Sequence, residues 1–329
     1  MGIFFSLVVV IVLVAVSFVG ASMSGLQGLF GVYIPYLAII IFIVGFVRKV
    51  MSWGRSAVPF RIPTTCGQQK SLPWIKHSSL DNPQSTAGVI GRMILEVVLF
   101  RSLFRNLKTE MNGGRVTYGS SKWLWLAGLA FHVSFFVILV RHLRFFLEPV
   151  PFFINMLDSL DGFLQVGVPH LLISGVVLVA AAGYLFLRRI AVPQVRYISL
   201  PADYFPLFLI IGIGLTGIIM RYITKVDIIK VKSLTMGLVG FKASVPEGIG
   251  AIFFVHLFLI SVLLAYFPFS KLMHLGGVFL SPTRNLPNNS REVRHVNPWD
   301  QPVKVHTYAQ YEDEFREKMK EAGIPVEKE

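Results

Sequence analysis

Six runs of apolar residues set the organisation of this chain: Ile3–Val19, Leu29–Val47, Trp123–Val140, Val166–Leu187, Tyr204–Met220 and Ile249–Phe267. Each approaches the ~20 residues that carry a helix across ~30 Å of hydrocarbon. The pattern predicts an all-α integral membrane protein with six transmembrane helices. The first run could be taken for a secretory signal. No Lys or Arg precedes it and no clean small-residue cleavage site follows, so it is expected to be retained as a span.

Two polar regions interrupt this pattern. In residues 48–122, Pro59, Pro63, Pro73 and Pro83 make the first half irregular. Beyond Pro83 a helical stripe runs through Ile90, Met93, Val97, Phe100, Leu103 and Leu107, flanked by Arg92, Arg101, Arg105 and Lys108. Such a basic amphipathic helix either lies along the membrane surface or packs on the ends of the spans. After residue 280 the chain turns polar. Asn285–Pro298 is turn-rich, and Thr307 reads as the N-cap of a helix through Ala322, closed by Gly323 with Pro325 beyond. Tyr308, Tyr311, Phe315 and Met319 share one face of it, placed to dock on a cytoplasmic partner or on the protein's own surface. Three units are expected: an N-terminal span in 1–28, a membrane domain in 29–280 with a basic insertion at 48–122, and a tail in 281–329.

Composition agrees with the pattern. Of 329 residues, 54% are hydrophobic and 15% charged, against roughly 25% charged in soluble domains; mean hydropathy is +0.64. The net charge of +13 is unevenly spread. The insertion sets twelve Lys and Arg against Asp81, Glu96 and Glu110, and the loop after the fourth run adds Arg188, Arg189 and Arg196. By the positive-inside rule both face the cytoplasm. The loop between the fifth and sixth runs, with Arg221, Lys225, Lys230, Lys232 and Lys242, opposes this mildly. Six spans in the cytoplasmic membrane with both termini inside fit best, and no nucleic acid is needed to explain the basic surplus. The single cysteine, Cys66, leaves no CxxCH, no CxxC pair and no thiolate set for an iron–sulfur cluster.

Candidate chemistry lies in the histidines. Four of eight sit in or at the ends of apolar runs: His132 and His142 ten residues apart, His256 and His274 eighteen apart. Ionisable groups at membrane depth are costly and mark function, and imidazole is a standard axial ligand of haem iron. Two histidines on each of two antiparallel helices supply ligands for two haem b. Ordering by depth pairs His142 with His256 on the outer side and His132 with His274 on the inner side. Straight-helix geometry fits imperfectly, because ten residues rise about 15 Å and eighteen about 27 Å. Pro268 offers a kink between His256 and His274. The rival reading is a haem-free anchor or proton-conducting transporter whose histidines line a proton path.

The 10-then-18 histidine spacing resembles the cytochrome b (gamma) subunit of respiratory nitrate reductase, which implies a five-helix dihaem core. The stretch HLGGVFLSPTRNLPNNSREVRHVNPW (His274–Trp299) and the helix after it resemble the DsrM family, the membrane cytochromes of the DsrMKJOP complexes. The cytochrome b of membrane-bound heterodisulfide reductase is also similar. The resemblance implies haem ligation by His132, His142, His256 and His274. It further implies electron exchange between (mena)quinone and a cytoplasmic heterodisulfide-reductase-like iron–sulfur subunit, in sulfite- or sulfate-linked sulfur metabolism. Further membrane, multihaem cytochrome c and periplasmic iron–sulfur subunits would complete such a complex. Near the outer haem, Asp158, Gln165 and His170 are candidates for a quinone site, with Arg141 and Asp161 nearby. Arg141 and Arg144 could meet outer propionates, and Arg188, Arg189 or Arg284 inner ones.

Overall fold

The computed structural model describes residues 2–23, 25–56, 67–281, 284–293 and 305–328; Pro59, Pro63, Cys66 and residues 294–304 lie outside them. Among the described residues, six helices are long and apolar enough to cross a membrane. They are α1 (Gly2–Ser22) and α2 (Ile34–Gly54, led in by a π turn at Leu29–Tyr33), then α5 (Lys122–His142), α7 (Ile173–Ala191), α9 (Pro201–Ile218) and α11 (Ala251–Tyr266). The fourth span is displaced from its predicted place. Residues 166–171 form turns, with Gly167 at φ 80 and Pro169 behind it, so α7 starts only at Ile173 and runs on to Ala191. Their apolar character suggested a span, but the backbone at Gly167 and Pro169 cannot continue a helix.

The spans pack as an arc, α5 on α7, α7 on α9 and α9 on α11, with α1 and α2 laid against α11. In a bilayer, close packing and internal hydrogen bonds must supply the association that water would otherwise drive. Ala181 and Ala182 of α7 are buried, and Gly214 of α9 lies where a Cβ would come within 2.8 Å of Val179 on α7. Val10, Leu209, Val255 and Leu259 knit α1, α9 and α11 together. Ser6 Oγ reaches the Pro201 carbonyl at 3.0 Å. The arc's two ends, α5 and α11, do not pack extensively on each other. α5 carries His132 and His142 and α11 carries His256, with His274 beyond its end.

Short elements close the bundle at each end. At one, α6 (Phe152–Asp161) packs on α5, and α10 (Ile228–Val239) meets the 3-10 turn that ends it, Thr235 Oγ1 donating to the Phe145 carbonyl at 2.5 Å. At the other sits the insertion. α3 (Thr86–Leu99) starts at an N-cap Ser85 whose hydroxyl accepts from Gly88 N at 3.2 Å. The continuous stripe expected through Leu107 is broken. Phe100 takes a left-handed conformation (φ 50, ψ 46), α4 (Arg101–Arg105) follows, and Leu107 opens a strand. β1 (Leu107–Asn112) and β2 (Arg115–Ser120) form an antiparallel hairpin. Its turn, Gly113 and Gly114 at φ 57 and 79, is the Gly-Gly link that favours such hairpins. The loop between α7 and α9 contains α8 (Pro193–Ile198).

Arg101 and Arg105 both bond the Asp81 carboxylate, with Ser78 Oγ at 3.1 Å. The Arg101 hydrogen bond leads in holding the Asp81 pKa at about 2. Because the folded value is depressed, the stability it contributes is present above the unfolded carboxylate value of about 4 and is lost as pH falls toward 2. Amide protection factors across residues 78–105, exchange rates corrected for the intrinsic pH dependence, should therefore fall over that window in the native protein and stay flatter in Asp81→Asn. Equal profiles would remove Asp81 as the anchor of this segment. The first part of the tail is tied to the same segment: Asn288 N donates to the Pro83 carbonyl (2.7 Å) and Asn288 Nδ2 to Asn82 Oδ1 (2.6 Å). α12 (His274–Leu280) precedes it, and α13 (Tyr308–Glu321) forms the tail helix. Thr307 caps α13 with Gln310 in a reciprocal box, and Gly323 closes it at φ 68. Met319 is buried on it, while Tyr308 and Tyr311 are exposed.

Candidate functional site

α5, α11 and α12 bring four histidines together in two facing pairs. The rings of His142 and His256 have centroids 6.4 Å apart with planes at 22°. Those of His132 and His274 are 6.0 Å apart with planes at 83°. The unequal spacing is reconciled by a break rather than a bend. α11 ends at Tyr266, and 3-10 turns at Phe267–Phe269 and Lys271–Met273 flank an extended Ser270. Pro268 sits within the break, and the redirected chain returns His274 to the level of His132.

Each ring is held through Nδ1. His132 Nδ1 lies 2.8 Å from the Gly128 carbonyl, His142 Nδ1 2.7 Å from that of Ile138, and His274 Nδ1 2.9 Å from that of Lys271. His256 Nδ1 is 2.8 Å from Thr216 Oγ1, itself 2.8 Å from the Gly212 carbonyl. The threonine proton serves that carbonyl, so its oxygen accepts from His256. A carbonyl can only accept, so the three other Nδ1 atoms carry protons too. In a neutral imidazole so engaged, Nε2 keeps its lone pair, which is how a metal-binding histidine is oriented by its surroundings. Gly217 makes room beside His256, since a Cβ there would stand 3.4 Å from His256 Cε1.

The spacing suits a shared metal. An imidazole nitrogen binds a transition metal at about 2 Å. With a ring centroid about 1 Å behind that nitrogen, two trans imidazoles have centroids roughly 6 Å apart. Both centroid distances, 6.0 and 6.4 Å, match that separation.

Around the His142–His256 pair the charged candidates bind one another. Arg141 Nε meets Asp158 at 3.0 Å and its Nη1 meets Asp161 at 2.6 Å, while Arg144 meets Asp158 at 3.2 Å. Asp161 also accepts from Ser174 N at 2.7 Å. Burial pushes the Asp158 carboxyl up, but Arg141 and Arg144 outweigh it and hold its pKa below the usual value. His170 is half-buried with its ring against Gly162, and Gln165 is exposed at φ 46; both lie in turns rather than on the fourth span. At the other end Arg189 bonds Ser199 Oγ (3.1 Å) and lies 3.9 Å from Asp203, which pairs with Lys271 at 2.7 Å. Arg188 is half-buried near the end of α7.

Sequence reasoning missed Thr216 and Asp203. A hydroxyl alone in the run LIIGIGLTGII and an aspartate opening an apolar helix were the available signals. It also missed Tyr222, whose hydroxyl accepts from Leu172 N at 2.8 Å beside His170.

Six apolar helices and two facing histidine pairs define a polytopic membrane protein. The chain belongs to the nitrate reductase gamma subunit family, whose profile matches residues 95–294 and so spans all four histidines. It is 48% identical over 279 residues to the Hdr-like menaquinol oxidoreductase cytochrome b-like subunit of Archaeoglobus fulgidus, covering 83% of each chain. The protein of the same description from Archaeoglobus profundus is 43% identical over 276 residues, 81% of each.

Proposed function

We propose that this chain is the dihaem cytochrome b subunit of a menaquinol-oxidising complex in the cytoplasmic membrane. The observation that carries this reading is the pair of facing imidazole couples, each with Nδ1 engaged and centroids 6.0 and 6.4 Å apart. Separation into two couples favours it over a proton path, which would need a connected chain of donors and acceptors. His142 and His256 hold one haem b, His132 and His274 the other. Bound there, haem supplies reversible one-electron transfer across the membrane. The basic insertion and the Arg188–Arg189 pair assign the His132–His274 end, and the tail, to the cytoplasmic side.

Quinol binds at the opposite end, beside His142–His256. There His170 takes up a hydroxyl proton and the Gln165 amide orients the ring. The guanidinium groups of Arg141 and Arg144 hold Asp158 ionised, so it fixes the arginines instead of receiving the proton. Arg141 and Arg144 at one end and Arg188 and Arg189 at the other border the propionates. Electrons pass from the His132–His274 end to a cytoplasmic heterodisulfide-reductase-like iron–sulfur subunit, with Tyr308, Tyr311 and Phe315 of α13 on the docking face. The sulfur-metabolic setting and the further membrane, multihaem cytochrome c and periplasmic iron–sulfur subunits rest on the likeness of residues 274–299 to DsrM-type cytochromes.

Purified protein should show b-type absorbance at two haems per chain, reducible by a menaquinol analogue. A quinone-site inhibitor should perturb the haem that is lost in His142→Ala. Absence of b-type absorbance would overturn the assignment. A perturbation confined to the haem lost in His132→Ala would move the quinol site to the other end.

A further inference from the structure

Phe100 is a bulky residue in the left-handed region, φ 50 and ψ 46, which large L side chains avoid. Such strain persists only where surroundings impose it and tends to collect at functional positions. Here its consequence is specific. The break between α3 and α4 turns the Phe100 ring inward until it meets His132 edge-on, centroids 4.9 Å apart and planes at 81°. Phe131 approaches the same imidazole at 5.1 Å and 77°. His132 is thus bracketed by two aromatic rings, with His274 as its third ring neighbour.

The break is fixed to the end of α5 that bears His132. Trp125 Nε1 donates to the Leu99 carbonyl at 2.7 Å, and the Trp125 ring packs on Phe104 at 4.8 Å. Lys122 Nζ stands 5.6 Å from the Phe104 ring centre. The Glu96 carboxylate accepts from Ser102 N at 3.3 Å and from its hydroxyl. A helix that ran straight through residue 100 would have no such anchor to α5 and would carry the ring away from the bundle.

We infer that Phe100 is a positioning residue for the His132–His274 haem site. Its ring fixes the rotation of the His132 imidazole about χ2 and screens that edge from water, so the basic insertion acts as a cap on this site. The inference rests on the two-haem reading above. Two edge-on aromatic contacts on an imidazole restrict the plane it presents to iron. Ring plane governs the anisotropy of a low-spin ferric signal, and screening from water governs potential. Water admitted to the site favours the more highly charged ferric form.

The test uses full-length protein carrying Phe100→Ala, Phe100→Gly or Phe100→Tyr, read by low-spin EPR and by redox titration. Glycine relieves the backbone strain and alanine mostly keeps it, yet both delete the ring. Both should shift the EPR signal, and lower the potential, of the haem that is missing from His132→Ala. Phe100→Tyr should restore native values. The His142–His256 haem should stay unchanged in all three and so reports that the bundle is folded. Native spectra and potentials in both ring-deleted variants would overturn the inference and leave the two-haem reading standing, as would shifts confined to the other haem. Native protein lacking haem at this end would instead overturn the two-haem reading, and the inference with it.

Discussion

His256→Ala and His142→Ala proteins should each retain one haem b of the native two, and the same one. His132→Ala and His274→Ala should each retain the other. The pairs are separate: His142 and His256 face each other at 6.4 Å, His132 and His274 at 6.0 Å. Losing one imidazole deprives the iron of an axial ligand and leaves a void beside its partner. His256 is the most buried of the four, 7% exposed, so its replacement should be the most complete. Thr216→Val should act in the same direction with less force. It strands the His256 Nδ1–H, and losing such a supporting partner costs about 10- to 100-fold in metal affinity. Ring planes add a signature: the perpendicular His132–His274 rings, at 83°, should give the more anisotropic ferric signal. Haem quantitation with EPR of the four variants decides the matter. If His132→Ala and His142→Ala abolish the same signal, the pairing by depth is wrong.

Asp161→Asn should lower stability by about 3–5 kcal/mol, the range for removing one partner of a buried ion pair. The Asp161 side chain is 6% exposed and that of Arg141 11%. Asp161 accepts from Arg141 Nη1, Ser174 N and Ser174 Oγ, and Arg141 Nη1 also reaches Ser174 Oγ at 3.4 Å. Asparagine keeps one acceptor and turns an amide donor toward the guanidinium, leaving a charge with half its partners. This joint ties α6 and the start of α7 to the end of α5, next to His142. Thermal unfolding in one detergent should show a clear fall in Tm, whereas Asp313→Asn on the exposed tail should change it little. An unshifted Tm in Asp161→Asn would show that the cluster does not hold these elements together.

Much of the site was legible because depth in a membrane is nearly one-dimensional. Antiparallel order alone places His142 opposite His256 and His132 opposite His274, and the structure juxtaposes these same rings. The surroundings were less legible. Arg141 and Arg144 suggest propionate contacts when read alone, and the structure adds ion pairs with Asp158 and Asp161, from a helix ten and more residues downstream. Hydropathy cannot distinguish an arginine paired with a neighbour from one that faces open space. The hairpin at Leu107–Ser120 was hidden by Leu107, which also completes a helical stripe, although the Gly113–Gly114 turn marked it.

The sequence by itself determined six spans and the tail helix, because each depends on local sums: apolar length against bilayer thickness, and a Thr307–Gln310 box that satisfies its own backbone. It also determined which histidines share a depth. Tertiary structure decided the rest. The break at Phe267–Met273 levels His274 with His132, Thr216 finds His256, and Phe100 is forced left-handed against His132. These features arise where residues far apart in the chain must satisfy one another's hydrogen bonds and packing at once. No local period in the sequence encodes that joint condition.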